Sequence, residues 1–159
     1  MSRASTIQTV QFAHPSFVNI INNLSPDEAF LLKEISRFAA IPFVTFRLYK
    51  KDKSGEYVIL RDLATGFEHK VPLSFKQNIR AYFSNFQGLG LISIEYGKRL
   101  AEPSIYEELR AIYLPEKDQS WDEELFSLRF QHGQIEITDF GKLFLEACLK
   151  KLKSEPKPE

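Results

Sequence analysis

Apolar residues recur at helical spacing in five stretches of this chain, and most of the intervening segments alternate or run apolar at strand length. Behind Pro15, Phe17, Ile20, Ile21 and Leu24 fall at i, i+3, i+4 and i+7, which predicts a short helix over 14–24. Ser25-Pro26-Asp27-Glu28 then supplies an N-cap, a first-turn proline and a glutamate placed to close a capping box. Leu31, Leu32, Ile35, Phe38 and Ala39 follow on one face, so a helix is expected over 26–39, stopped by Pro42. Residues 43–49 and 57–60 are aromatic and β-branched around the turn chemistry of 50–55, which predicts a β-hairpin. After a loop punctuated by Thr65-Gly66 and Pro72, Ser74 is placed to cap a helix over 74–87. Its inner face carries Phe75, Ile79, Tyr82, Phe83 and Phe86, and Gly88 and Gly90 end it.

The second half repeats the alternation. Residues 91–96 read as a strand, Gly97-Lys98-Arg99 as a turn, and Pro103-Ser104 as the start of a helix with Ile105, Leu109 and Ile112 inward. A polar loop around Pro115 and Trp121 fills 114–123. Residues 125–131 and 134–138 then form a second hairpin across His132-Gly133. Thr138 caps a last helix whose stripe is Phe140, Leu143, Phe144, Ala147 and Leu152. The expectation is one α+β domain over 14–153 with two β-hairpins and about five helices. It is flanked by a flexible segment at 1–13 and a flexible tail at 154–159.

Composition narrows the classes. With 159 residues, 43% of them hydrophobic, the chain can bury a single core. One cysteine, Cys148, excludes an internal disulfide framework, and with three histidines it leaves too few soft ligands for a structural zinc site. No apolar run approaches the ~20 residues of a membrane helix, so a cytoplasmic protein without a membrane-spanning segment is expected.

Catalytic patterns are missing. Gly88-Leu89-Gly90 follows a helix instead of a strand and lacks the third glycine of a dinucleotide loop, so it reads as a helix terminus. Ser74, Ser93 and Ser127 sit in no nucleophile pattern. His14, His69 and His132 fall at predicted turns, and the pairs Glu107-Glu108 and Glu123-Glu124 read as solvated faces. No cofactor and no enzyme activity are expected; a rival enzyme would have to use one of the three histidines.

Net charge is zero, but its distribution is uneven. From Arg47 to Arg99 ten basic residues face five acidic ones, and from Glu102 to Glu124 eight acidic face two basic. On the 74–87 helix, Lys76, Gln77 and Arg80 lie opposite the apolar stripe in a stretch without acids. With Lys98 and Arg99 they form a candidate nucleic-acid surface. Glu107, Glu108, Glu123 and Glu124 form a candidate protein-contact surface that could meet the basic segment of a second copy. Protein contact or self-association is preferred, with DNA as the alternative, because zero net charge suits a phosphate binder poorly.

The order of elements is that of a winged-helix domain, with the 74–87 helix in the recognition position and Lys98-Arg99 near a wing. A hairpin at 43–60 and a helix between the later strands depart from that pattern. The runs His14-Pro15-Ser16-Phe17, Leu24-Ser25-Pro26-Asp27-Glu28-Ala29, Asn85-Phe86-Gln87-Gly88-Leu89-Gly90-Leu91-Ile92 and Ile137-Thr138-Asp139-Phe140-Gly141-Lys142-Leu143-Phe144 resemble the abortive-infection alpha family over most of 14–149. The resemblance implies a bacterial domain linked to phage resistance and brings no catalytic residues with it. Members usually carry a further N-terminal region, so it also implies a shortened chain or a short member.

Overall fold

The structure, a computed structural model, describes residues 14–113 and 121–153. The segments expected to be flexible at 1–13 and 154–159, and most of the 114–123 loop, lie outside the described residues. Helices α1 (Ser16–Asn22) and α2 (Pro26–Ile35) lead into strands β1 (Ile41–Lys50) and β2 (Tyr57–Ala64). Next come a one-turn helix α3 (Phe67–Lys70), a 3-10 turn at Lys76–Asn78, α4 (Ile79–Gly88) and β3 (Ile92–Tyr96). Helix α5 (Pro103–Tyr113), strand β4 (Phe126–Ile137) and helix α6 (Asp139–Lys153) complete the domain.

The capping box at Ser25 forms as the sequence predicts. The Glu28 N–H donates to Ser25 Oγ at 3.3 Å while the Ser25 N–H donates to the Glu28 carboxylate at 2.7 Å. Helix α2 stops at Ile35, short of the expected end, because Ser36 turns its hydroxyl back onto the Lys33 carbonyl and the chain tightens into i to i+3 bonds at Arg37 and Phe38. Phe38 is consequently 52% exposed instead of buried.

All four strands are antiparallel in the order β2-β1-β4-β3, giving a curled sheet with helices on both faces. The expected second hairpin does not exist: His132 and Gly133 lie inside one continuous strand, β4, which pairs with β1 on one side and β3 on the other. Gly133 has no turn geometry. A Cβ on it would stand 2.2 Å from the Phe43 ring, so the glycine clears space for a core side chain on the neighbouring strand. Sequence pattern reads His-Gly as a turn because it cannot see that ring.

Because side chains alternate along a strand, β1 faces two cores. Ile41 and Phe43, with Ile135 and Ile92, pack under α1, α2, α4 and α6, while Val44 and Phe46 pack under α5. Helix α5 buries Tyr106, Leu109 and Tyr113 and leaves Ile112 40% exposed, one step from the predicted stripe. The tyrosines take the inward positions because their hydroxyls find partners there: Tyr106 accepts from the Leu100 N–H, and Tyr113 accepts from the Gly66 N–H and donates to Glu68.

Three further expectations are corrected. Ser74 is no helix cap; α4 starts at Ile79 after the 3-10 turn, and Phe75 is 57% exposed. Helix α3 makes six α-helices among the described residues, its single turn being too short to show a period. Ile21 and Leu143 are more than half exposed, while Phe17, Phe140 and Phe144 hold α1 and α6 together with ring centroids 5.4–5.6 Å apart. The winged-helix likeness is not confirmed, the two strands that suggested a wing being β3 and the end of β4 in the four-stranded antiparallel sheet.

Replacing Leu32, Phe83 or Phe144, each at most 3% exposed, by Ala is expected to cost about 2–5 kcal/mol in thermal unfolding. Gly141→Ala reverses the usual helix preference. Alanine ordinarily gains about 1 kcal/mol over glycine within a helix, but a Cβ here meets the Leu91 carbonyl oxygen at 2.1 Å. A net loss of about 1–3 kcal/mol is expected, and a stabilised variant would show that α6 does not seat this closely on Leu91.

Candidate functional site

The buried carboxylate of Asp27, in the first turn of α2, shapes the region that carries Lys76, Gln77 and Arg80. It accepts the Ser74 N–H at 2.9 Å, the Phe75 N–H at 2.8 Å and the Tyr82 hydroxyl at 2.9 Å. These bonds hold Asp27 below the usual carboxylate range, the two backbone donors contributing most. They also tie the segment before α4 to α2. Beyond it, Lys76, Gln77 and Arg80 are exposed and line an open cleft of about 370 Å³ with Arg61, Asp62, Glu68 and His69.

The acids of this cleft already have donors. Asp62 accepts the Thr45 hydroxyl at 2.7 Å, the Leu63 N–H at 2.9 Å and the Tyr96 hydroxyl at 2.9 Å. Burial, then Asp62, pushes Tyr96 up to about 12, with Arg80 and Arg47 near enough to oppose the shift. Glu68 accepts from Tyr113, whose acidity is suppressed chiefly by burial, and Arg61 stacks 4.6 Å from the Tyr113 ring centroid. Lys76 and Arg80 carry no ion pair among the described residues.

Lys98 and Arg99 do not join this cleft. Lys98 is paired with Glu136 at 2.8 Å and Glu95 at 3.8 Å, and Glu136 points to the α5 side of the sheet, opposite Ile135 and Ile137. Arg99 lies near His132, also on the α5 side. Glu107 and Glu108 are exposed on α5. Glu123 and Glu124 sit at the foot of β4, where Lys51 donates its side chain to the Glu123 carbonyl and its N–H to Leu125. Part of the charge separation along the sequence is thus brought back together in space.

The histidines occupy three separate places, each with neighbours of its own. His14 packs on Phe17 and Phe140, His69 on Tyr113, and His132 lies 4.4 Å from the Tyr106 ring and accepts from Arg110. Burial and then Arg110 and Arg99 depress the His132 pKa, keeping the ring the neutral acceptor that Arg110 needs. Among the described residues no cluster of His, Cys, Asp and Glu could hold a metal ion, and no helix is long and apolar enough to cross a membrane.

One group was not singled out from the sequence. On the face shared with Phe43, but beyond the helical layer, Arg47 lies 4.5 Å from the Tyr57 ring centroid and Arg129 lies 4.7 Å from that of Tyr49. The Tyr49 and Tyr57 rings are themselves 4.9 Å apart. Strand alternation of Arg47 with Tyr49 was a signal for this group, but the partner positions on β2 and β4 depend on register.

A family model described as abortive infection alpha matches residues 1–148. No curated protein matches the chain. Among solved structures, that of an uncharacterized protein from the hydrocarbon-degrading marine bacterium Alcanivorax borkumensis SK2 is similar at 16% identity and a TM-score of 0.41. That match covers 93% of this chain and 99% of the other.

Asp27→Asn is expected to loosen the 74–77 segment and destabilise the fold. Because Asp27 is depressed in the folded state, its contribution is present above the unfolded carboxylate pKa of about 3.9 and is lost as pH falls through the lower folded value. The stability gap between wild type and variant should therefore close below about pH 4, with faster amide exchange at Ser74 and Phe75 in the variant at neutral pH. A gap that stays constant down to acid pH would remove Asp27 from this role.

Proposed function

The chain belongs to the abortive infection alpha family, and from that premise we propose that it serves phage defence as a non-catalytic module that acts through protein contact, in the first instance with a second copy of itself. The observation that carries this reading is the open edge of the sheet. Tyr57, Val58 and Ile59 on the outer strand β2 are 44%, 58% and 45% exposed, three consecutive apolar residues on an edge that no further strand covers among the described residues. Edges of this kind add a further strand unless they are blocked. The opposite edge, β3, is only five residues long and carries the Glu95–Lys98–Glu136 charge group. Antiparallel pairing of two β2 strands about a two-fold axis would join two sheets through the same surface on each copy.

The histidines support a module in place of an enzyme, since each is engaged by structural neighbours, and the one that meets a hydroxyl, His14 with Ser16 two residues on, does so in an exposed local contact at the start of α1. Duplex DNA binding is the second reading. Lys76, Gln77 and Arg80 remain together and unpaired in its favour, but Lys98 and Arg99 lie on the other side of the sheet.

Sedimentation tests the edge. The wild-type chain is expected at twice its 18.4 kDa mass. Val58→Glu should be a folded monomer, because the two-fold brings like charges together. Glu107→Lys with Glu108→Lys should leave the dimer intact, and loss of the dimer in that variant would mean that charge attraction, not strand pairing, joins the copies. A wild type that sediments as a monomer overturns self-association.

A further inference from the structure

We infer that the open face of the sheet binds single-stranded nucleic acid, a surface that meets the edge proposed above only at Tyr57 and lies on the side of β2 opposite Val58. The inference begins with Arg47 and Arg129, which are directly paired across β1 and β4. Neither has a carboxylate partner among the described residues, and like charges in that position repel. An anion between or above them removes the repulsion. Arg47 Nε and Gln131 Oε1, on neighbouring strands of this face, are both buried without a hydrogen bond, so the face is incomplete as it stands.

The aromatic residues select the kind of anion. Each guanidinium stacks on a tyrosine, and Tyr57, whose ring touches the Arg47 guanidinium and the Tyr49 ring, still leaves 44% of its surface exposed to meet a base. At the far end of the same face Tyr96 is 47% exposed, its hydroxyl fixed by Asp62. Tyr57 pairs with Tyr49 on β1, while Tyr96 pairs with Gly133, which pairs with Phe43. The backbone positions of Tyr57 and Tyr96 are therefore separated by about 20 Å along the strands and about 14 Å across them at standard strand spacings. The Tyr96 side chain reaches back across the sheet past Phe43 to Asp62 on β2, which leaves the distance along the strands as the span for a few nucleotides. Arg80 and Arg47 both lie within electrostatic range of Tyr96, and Lys76 stands beside Arg80 in the cleft. Cations thus run the length of the path, while Asp62, its one central acid, is occupied by three donors. Alternating cations and exposed rings on an open sheet suit a strand whose bases are unpaired; a duplex hides those base faces, and an acidic peptide has none to stack.

Fluorescence anisotropy with a labelled oligo-dT and oligo-U of about 15 nucleotides tests this, with a DNA duplex and polyglutamate as competitors. Binding at about 50 mM salt should weaken with log salt at a slope of about −0.7 per phosphate neutralised, or about −2.8 if Arg47, Arg129, Arg80 and Lys76 each engage one. Arg129→Gln should flatten the slope by about 0.7. Tyr57→Ala should lose about tenfold in affinity, while Tyr57→Phe keeps it. Both positions are exposed, and unchanged thermal midpoints would establish that the variants fold. Val58→Glu, on the opposite face of β2, should retain the binding whether or not the chain dimerises, which separates this site from the edge. The inference is overturned by no binding at low salt, by affinity unchanged in both Arg129→Gln and Tyr57→Ala, by a duplex that competes better than the single strand, or by polyglutamate that competes as well, which would assign the face to an acidic protein.

Discussion

The Phe43 ring fills the space that a side chain at Gly133 would need, and the arrangement of the two central strands depends on this contact. With both partners in place, β1 and β4 have one register in which the ring is buried, and a shift by one residue would turn every side chain of β4 to the other face. That register places Ile41 beside Ile135 in one core and Phe46 beside Phe130 in the other. It also sets Arg47 against Arg129 at the uncovered end and brings Tyr96, 5.2 Å from Phe43, over the same strand. Core packing and surface chemistry are in this sense consequences of one close approach.

A second constraint comes from two acids buried at the start of α2. Glu28 closes the capping box with one oxygen and takes the Asn85 side-chain amide at 2.8 Å with the other. Asp27 takes two backbone N–H groups and the Tyr82 hydroxyl. A buried carboxylate without donors would be costly, so this pair fixes how α4 and the segment before it sit on α2. The exposed cations of the cleft are therefore mounted on a hydrogen-bonded support and not on a free loop.

Three surfaces emerge that differ in chemistry. The β2 edge is apolar and, among the described residues, uncovered by a further strand, the open sheet face carries arginines and tyrosines, and the outside of α5 is acidic at Glu107 and Glu108. Strand pairing at the edge leaves the sheet face accessible, since hydrogen bonds between strands lie in the plane of the sheet and side chains stand out of it. Within a family tied to abortive infection, such a domain has room to join copies of itself and still present a charged, aromatic face.

Local patterns alone determined the cap of α2 and its stripe through Leu31, Leu32 and Ile35, the β1–β2 hairpin, and the inward face of α4 through Ile79, Tyr82, Phe83 and Phe86, because each depends on neighbours within a few residues. The same patterns identified Lys76, Gln77 and Arg80 as one exposed group, and the structure brings those three to one cleft. Everything that depended on a partner distant in sequence was decided by tertiary structure. His132-Gly133 read as a turn until Phe43 was placed against it, and Phe75 read as core until Asp27 captured its N–H. Lys98 and Arg99 read as companions of Lys76 until Glu136 and His132 appeared on the other side of the sheet. The Arg47–Arg129 face had no local signature beyond the alternation of Arg47 with Tyr49, since its residues come from three strands whose alignment is set by the packing of a single ring, and a register is a property of two strands' side chains meeting, not of either segment's own periodicity.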